Sequence, residues 1–192
     1  CCSRDSRHHG TRSVMAASAG ALLAASYPTP AGTVVVVVDP HAMGDRGPAE
    51  YGAVVASTFV DLDDALERLP GVGREVHPRS PVPFIRDVLR RYGDGDLDAL
   101  EEVSVSQPGG PFQQQAWIAM RTIRAGSVDT YAGLARRAGR PRAARAAGTV
   151  CSSNLVAPFI PCHRVVASNG LGGYGYGLDI KVALLEHEGV LL

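Results

Sequence analysis

Runs of apolar and polar positions divide the first half of the chain into predicted strands and helices. A β-branched run over residues 33–38 predicts a buried strand, and alternation over 51–61 predicts a second one. Apolar residues at helical spacing predict helices over 61–69 and 83–92, and alternation over 100–106 predicts a last short strand. This half is therefore predicted to form a small mixed sheet with helices.

The second half of the chain has a helical pattern. Residues 111–123 place their large apolar side chains along one face of a predicted helix. Thr130 is the predicted N-cap of a second helix, which runs through Ala138 and is closed by Gly139. A third, short helix is predicted over 141–148, with proline in its first turn. The last two helices, joined by a tight turn, predict a helix-turn-helix.

A turn separates the two halves. Residues 107–110 read Gln-Pro-Gly-Gly, which is typical of turns and indicates a boundary near residue 106. We expect a mixed α/β domain over 23–106 and a second domain over 107–192. Residues 1–22 are rich in Ser, Ala, Arg and Gly without a steady period, and we expect them to form a disordered extension.

The charges are balanced in number but not in position. The chain has 19 Lys and Arg against 19 Asp and Glu, yet residues 1–106 carry a net charge of −5 and residues 107–192 a net charge of +5. A cationic surface gains affinity for nucleic acid by releasing counterions, so the second half is a candidate phosphate-facing surface. A solvated helix face explains the same arginines, and charge alone leaves both interpretations open.

Neither a membrane segment nor a metal site is predicted. The longest aliphatic run, Val34–Val38, is far shorter than the roughly 20 residues of a membrane span, and we expect a cytoplasmic protein without a membrane partner. Four cysteines are too few for a disulfide scaffold in a chain of this length, and none forms a Cys-x-x-Cys pair. Cys1, Cys2, His8 and His9 match no structural zinc spacing, so we predict no metal and no cofactor.

The candidate chemistry lies in an apolar segment between prolines, where Cys162 precedes His163. A nucleophilic cysteine needs a lowered pKa, and a neighbouring histidine oriented by a carboxylate supplies the base. Asp179, Glu186 and Glu188 are the carboxylates nearby in the sequence, and the pattern does not choose among them. Cys151 has no histidine beside it and is interpreted as a buried or incidental thiol.

These residues resemble a known family. Pro161-Cys162-His163-Arg164-Val165 is similar to the active-site signature of the O6-alkylguanine-DNA alkyltransferases, also called methylated-DNA–protein-cysteine methyltransferases. The similarity extends over 112–189 through blocks in the family's order, which are Thr130-Tyr131, Ala143-Ala144-Arg145-Ala146, Asn154, Gly172-Gly173-Tyr174 and Leu184-Leu185-Glu186-His187-Glu188-Gly189. The resemblance implies an α+β, two-domain fold. Its first domain would be a ribonuclease-H-like small sheet with helices, and its second a winged-helix-like helix-turn-helix domain carrying the active-site cysteine.

The resemblance also implies a reaction, in which an alkyl group passes irreversibly from O6 of guanine in DNA to Cys162. His163 would be the base that takes the thiol proton through a water, and Glu188 would orient it. Asn154 would belong to the same hydrogen-bond network, and Tyr131 would stabilise or protonate guanine N3 as the base leaves. The thioether has no good leaving group, so each molecule would act once.

The implied partner is double-stranded DNA containing O6-alkylguanine, bound by a monomer through the minor groove with the damaged base flipped out. Arg145 would take the place of the flipped base in the stack. The other residues implied to contact DNA lie on the helix-turn-helix, and they are Thr130, Arg142, Ala143, Ala144, Ala146 and Gly148. The implied alkylguanine pocket comprises Val165, Tyr174, Gly175 and Tyr176.

The chain departs from the family pattern in the pocket turn. Most relatives have two consecutive glycines where this chain reads Tyr176-Gly177, and Tyr176 either narrows the pocket or lies outward. Asp129 is an acid near the expected path of the phosphates. A lesion-recognition protein without transfer is the main alternative function. A Cys-His thiol hydrolase leaves the arginines unexplained, and a plain transcription factor leaves the Cys-His pair unexplained.

Overall fold

The computed structural model describes residues 20–47, 49–70 and 73–191. The first half of the chain forms a four-stranded sheet in the spatial order β3-β2-β1-β4, in which only the β1–β4 pair is parallel. Its strands are β1 (Leu22–Thr29), β2 (Gly32–Asp39), β3 (Ala53–Thr58) and β4 (Val76–Pro78). The β-branched run of β2 is buried from Val34 to Val38 because both faces of the sheet are covered.

Two helices cover the sheet on opposite faces. Helix α1 (Leu62–Glu67) is capped by Asp61, whose carboxylate accepts a hydrogen bond from Asp64 N at 2.9 Å, and it buries Ala65 on one face. Helix α2 (Pro83–Gly93) has proline in its first turn and buries Ile85, Val88, Leu89 and Tyr92 on the other. Both predicted helices are thus present, α1 being shorter than its apolar pattern.

Two predictions for the first half were wrong. Leu22 begins β1 and does not belong to a disordered extension, whereas residues 1–19, including Cys1, Cys2, His8 and His9, lie outside the described residues. The strand predicted over 100–106 is a 3-10 turn over Ala99–Glu102, followed by a single bridge between Val105 and Val54. Leu100 and Val103 are both buried, and a 3-10 turn brings positions three apart to the same side, which the alternating pattern does not distinguish from a strand.

The second half is mainly helical. Helix α3 (Pro111–Arg121) is followed by β5 (Asp129–Thr130), α4 (Tyr131–Arg137) and α5 (Ala144–Ser152). A 3-10 turn (Cys162–Arg164) leads into β6 (Val165–Val166), which pairs in parallel with β5, and α6 (Leu178–His187) closes the chain. None of the described helices is long and apolar enough to cross a membrane.

The two helices of the predicted helix-turn-helix are present, but the second has different bounds. Thr130 caps α4 as predicted, its Oγ1 accepting from Gly133 N at 3.0 Å. Helix α5 begins at Ala144 rather than Pro141, because residues 140–143 form a turn closed by a 2.9 Å bond from Ala143 N to Arg140 O. It continues to Ser152, since Val150 in its last turn is buried in the core.

The two halves are joined by backbone and side-chain hydrogen bonds. Ser57 of β3 donates from its N to Leu155 O at 2.7 Å and from its hydroxyl to Ala157 O at 2.6 Å. These bonds attach the segment that leads to Cys162 to the edge of the sheet. The sheet therefore supports the segment that carries the predicted chemistry.

Candidate active site

Cys162 lies at a cavity between α4, α5 and the turn that precedes α6. Pro161 leads into the 3-10 turn that Cys162 begins, and the Cys162 side chain is largely buried. The cavity has a volume of about 280 Å³. Its lining residues are Tyr131, Gly148, Cys151, Ser152, Cys162, Gly173, Tyr174 and Gly175. A small cavity that is lined by a thiol can bring a small group of a ligand into contact with the sulfur.

Asn154 forms the first hydrogen bond of the network around Cys162. Its Nδ2 donates to Cys162 Sγ at 3.2 Å and to Ile160 O at 2.9 Å. Its Oδ1 accepts from Gln107 Nε2 at 3.1 Å and from Val156 N at 3.2 Å. The Asn154 amide is buried, and its NH2 group and its oxygen both have hydrogen-bond partners. Its NH2 group is therefore held toward the sulfur.

His163 and Glu188 form the second part of the network. His163 Nε2 lies 2.9 Å from Glu188 Oε1, and both side chains are fully buried. Arg164 donates to both carboxylate oxygens, from Nε to Oε2 at 2.8 Å and from Nη2 to Oε1 at 2.9 Å, and Tyr92 Oη donates to Oε1 at 2.9 Å. Burial opposes ionisation of Glu188, but the hydrogen bonds from His163 and Arg164 outweigh it and lower its pKa to about 2.

The state of His163 follows from the ionised Glu188. Burial lowers the pKa of His163 despite the neighbouring Glu188, so the imidazole is neutral at pH 7. An ionised carboxylate only accepts hydrogen bonds, and Nε2 therefore carries the imidazole proton. Nδ1 is then an unprotonated nitrogen, buried and without a hydrogen-bond partner in the described part of the protein. His163 thus holds a free basic nitrogen beside the cysteine.

Cys162 itself is held as a thiol. Burial raises its pKa above the ordinary value, while the Asn154 hydrogen bond and the Lys181 charge lower it in part. Lys181 of α6 is fully buried, with Nζ donating to Val165 O at 2.7 Å and Leu171 O at 2.6 Å. Because the resting thiol is protonated, reaction requires a base, and the neighbouring imidazole can supply one.

The predicted pocket residues have different positions. Tyr131, Tyr174 and Gly175 line the cavity, and burial raises the pKa of Tyr174 well above its usual value, with Cys162 adding to the shift. Val165 and Tyr176 do not line it. The Val165 side chain packs into the core, and its carbonyl accepts from Lys181 Nζ at 2.7 Å. Tyr176 lies against the first half, donating to Ser57 O at 3.0 Å.

The predicted DNA-contacting residues lie on α5 or just before it, except Thr130, which precedes α4; we call the exposed side of this helix pair the α4–α5 surface. Arg142, Arg145 and Ala146 are exposed, Ala143 and Ala144 are half-buried, and Gly148 lines the cavity; Thr130 caps α4. Asp129 does not present a free negative charge, because Arg137 Nε lies 2.6 Å from its carboxylate. Gly133 leaves the space that this carboxylate occupies, since a Cβ there would meet Asp129 Oδ1.

Four residues of the network had no predicted role. Arg164 lies within the signature, but no local pattern predicts its two bonds to Glu188. Lys181 had a signal in the sequence, since a lysine between Ile180 and Val182 is unusual on an otherwise apolar stretch. Tyr92 and Gln107 had no such signal, because their partners Glu188 and Asn154 lie 96 and 47 positions further along the chain.

The fold and site define a class of protein in which a buried cysteine–histidine–glutamate network lies beside a pair of helices with exposed arginines. Comparison with known proteins gives the family. The family model "6-O-methylguanine DNA methyltransferase, DNA binding domain" matches residues 111–190. The chain is 39% identical to a probable methylated-DNA–protein-cysteine methyltransferase of Acanthamoeba polyphaga mimivirus, over 56% of this chain and 72% of the relative. The chain therefore belongs to the methylated-DNA–protein-cysteine methyltransferase family.

Two further proteins show the extent of the similarity. A methylated-DNA–protein-cysteine methyltransferase of Shigella flexneri is 43% identical over 109 residues, which are 56% of this chain and 64% of that protein. The match therefore spans less than two thirds of the length of that relative. A crystal structure of Mycobacterium tuberculosis OGT in complex with DNA has a TM-score of 0.65 and 25% sequence identity, and covers 87% of this chain and 93% of that one. The mixed α+β fold with a small sheet and helices is thus shared over most of the chain.

Proposed function

We propose that this protein repairs alkylated DNA by transferring the alkyl group from O6 of guanine to Cys162 Sγ. The observation that carries the proposal is the position of Cys162, in a small cavity beside α5 with Asn154 donating to its sulfur. The buried His163–Glu188 pair adds a base. Membership of the family and the DNA complex of the M. tuberculosis protein support the same reaction.

The transfer balances with the groups present. The Cys162 proton passes to His163 Nδ1, with a water as carrier, and Glu188 stabilises the imidazolium that forms. The thiolate attacks the alkyl carbon, so an S–C bond forms as the C–O6 bond breaks and its electron pair moves to guanine. Tyr131 donates a hydrogen bond or its proton at guanine N3 to meet this charge. Overall, guanine gains the proton that the thiol loses.

The product explains a single turnover. A thioether offers water no good leaving group, so hydrolysis does not restore the thiol. Backbone groups of Cys162 and Val165 would contact the exocyclic amine of guanine, and the turn at Tyr174 and Gly175 would close over O6. One protein molecule would therefore repair one lesion.

The proposed partner is double-stranded DNA with an O6-alkylguanine, bound by a monomer in the cytoplasm. The α4–α5 surface would enter the minor groove, where half-buried alanines allow a close approach. Exposed Arg145 would fill the stack after the damaged base flips into the cavity. In this proposal residues 107–192 form a winged-helix-like domain, and the preceding sheet is ribonuclease-H-like.

The test is the intact mass of the protein after incubation with a duplex oligonucleotide that contains O6-methylguanine, followed by peptide mapping. We expect one added methyl group per molecule, on Cys162. Cys162→Ala should gain none and still bind the alkylated duplex, while Cys151→Ser is the matched control for the second thiol of the cavity and should be methylated normally. Lesion-selective binding without a mass gain would instead indicate a recognition protein.

A further inference from the structure

Gln107 connects the turn between the two halves with the hydrogen-bond network of Cys162. Its Nε2 donates to Asn154 Oδ1 at 3.1 Å, and its Oε1 accepts from Leu155 N at 2.8 Å. The side chain is buried, and its own carbonyl accepts from Gln114 Nε2 at 2.8 Å. Gln107 lies outside residues 111–190, the region matched by the family model.

The two bonds of Gln107 act on the same short segment. One holds the Asn154 side chain and the other holds the backbone of the next residue, so rotation of the Asn154 side chain breaks the first bond and a shift of the segment breaks the second. The donated bond also draws electron density toward Asn154 Oδ1, which makes Nδ2 a stronger donor because linked hydrogen bonds polarise one another. The acceptor of that donor is Cys162 Sγ at 3.2 Å.

We infer that Gln107 is a positioning residue for the acceptor thiol, holding the Asn154 amide so that its NH2 group stabilises negative charge on Cys162 Sγ. This inference deepens the proposed alkyl transfer and rests on it for its biological meaning. Gln107 itself touches neither the sulfur nor the cavity. It acts through Asn154, and its loss is expected to change the reactivity of the thiol rather than the shape of the pocket.

The measurement is the rate of Cys162 alkylation by iodoacetamide as a function of pH, resolved from the other cysteines by peptide mapping. This readout needs no DNA, so it tests Gln107 even if the duplex transfers no methyl group to the wild-type protein. The native ionisable groups of other elements that interact electrostatically with Cys162 are the same in every variant compared, while Gln107→Glu and Gln113→Glu each add one carboxyl. These native groups are Tyr131 of α4, Cys151 of α5, Lys181 of α6, and Tyr174 and Tyr176 of the pocket turn.

Gln107→Glu is the most informative variant. A glutamate retains an acceptor for Leu155 N, but it turns a second acceptor toward Asn154 Oδ1 in place of a donor. The midpoint of the alkylation profile should move to higher pH by about one unit, which lowers the rate about tenfold at any pH below the midpoint. Gln107→Met has a side chain of similar length but makes neither hydrogen bond, and it should shift the profile in the same direction. Circular dichroism verifies that the variants are folded.

Gln113→Glu is the matched control. Gln113 also accepts from a backbone N, that of Gly110 at 2.9 Å, and donates to a side-chain oxygen, that of Ser153 at 3.1 Å. It has no bond to Asn154, so its variant should leave the alkylation profile unchanged. An equal shift in Gln113→Glu would overturn the inference, since the effect would then be one of general destabilisation.

A double variant isolates the path through Asn154. Asn154→Ala alone should raise the midpoint, and adding Gln107→Met, which introduces no charge, should change it no further. A wild-type profile in folded Gln107→Met, or the same additional shift in the Asn154→Ala background, would each show that Gln107 does not act through Asn154. If the wild-type protein transfers methyl groups, the Gln107 variants should slow this transfer at pH 7 by the same factor by which they slow alkylation.

Discussion

The buried network and the α4–α5 surface differ in what their polar groups contact. Around Glu188, three side chains use both carboxylate oxygens, and all lie within the protein. On the α4–α5 surface, Arg142 and Arg145 are exposed at the start of α5. The hydrogen bonds of the network therefore join groups within the protein, whereas the arginines of the surface are available to a partner.

This difference separates two kinds of consequence. Removing a member of the buried network leaves a charge or a donor without a partner away from water, which costs stability. Removing an exposed arginine leaves nothing unsatisfied, so the fold should hardly respond. A function that depends on both regions is expected to be lost either with the stability of the fold or with the exposed arginines. Measuring unfolding and methyl transfer in the same variants distinguishes the two.

The largest effect is expected for Arg164→Met. It keeps much of the side-chain volume but leaves Glu188 buried without its cation, and loss of one partner of a buried ion pair costs about 3–5 kcal/mol in the free energy of unfolding. Urea unfolding provides the measurement. Arg91→Met is the control, since Arg91 pairs with Asp96 and Glu102 on the surface, and its effect should be much smaller. Equal losses would contradict the contrast between buried and exposed charges.

The same carboxylate should make stability depend on pH. The pKa of Glu188 is lowered from 4.5 to about 2, so its ionisation contributes stability that is fully present above about pH 4.5. That contribution is lost as the pH falls from about 4.5 toward 2, where the native carboxylate takes up a proton. Unfolding midpoints across this range should fall less steeply in Glu188→Gln than in the wild-type protein. Parallel slopes would rule out Glu188 as the source.

A smaller loss is expected for Tyr92→Phe. This variant removes a single hydrogen bond to an ionised acceptor and should cost about 2 kcal/mol in the free energy of unfolding. Methyl transfer should also slow, because Glu188 loses one of the groups that hold it against His163. Tyr27→Phe is the control, since it removes a buried hydroxyl that accepts from Val82 N at 2.9 Å and makes none of the hydrogen bonds to Glu188. If the control slowed transfer as much, Tyr92 would have no specific part in the network.

Thr130→Ala tests the start of the α4–α5 surface. The variant removes the side-chain cap that accepts from Gly133 N, and loss of such a cap costs about 1 kcal/mol. Thr149→Ala is the comparison, because the Thr149 hydroxyl lies exposed within α5 and caps no helix end. Chemical denaturation of both variants provides the measurement, and a loss in Thr149→Ala as large as that in Thr130→Ala would argue against the cap.

The smallest change in stability is expected for Arg145→Ala, within about 0.5 kcal/mol, although repair of duplex DNA should fall strongly. Reaction with free O6-alkylguanine should fall much less, because only the duplex requires the base to be flipped. Arg124→Ala removes another exposed arginine of the same half and should affect the two substrates little. Equal losses on duplex and free base in Arg145→Ala would remove its assigned role.

The elements that could be predicted from the sequence are those with a local cause. The valine run of β2, the apolar face of α2 and the Thr130 cap of α4 are present in the structure. Strand β1 was missed because its start reads as the end of an irregular N-terminal stretch. Helix α5 begins later than predicted because Pro141, which in general favours the first turn of a helix, lies here in a turn closed by its neighbours.

The sequence by itself determined the candidate chemistry. Cys162 and His163 are adjacent in the chain, and the signature around them resembles that of the family. The spacing alone left three carboxylates open, and Glu188 was implied by the family resemblance rather than by a local signal. The tertiary structure shows that Glu188 contacts His163, and it alone decided that Arg164 holds Glu188 ionised and that the first half contributes Tyr92.

The physical reason is the range of each effect. Helix periodicity, capping and turn preference act between neighbours along the chain, so a single sequence records them. The pKa of a carboxylate and the orientation of an amide depend on burial and on donors brought close by folding. Gln107 and Asn154 lie 47 residues apart and have no local signal of their contact. Their pairing exists only once the sheet, the turn and the segment before Cys162 have packed together.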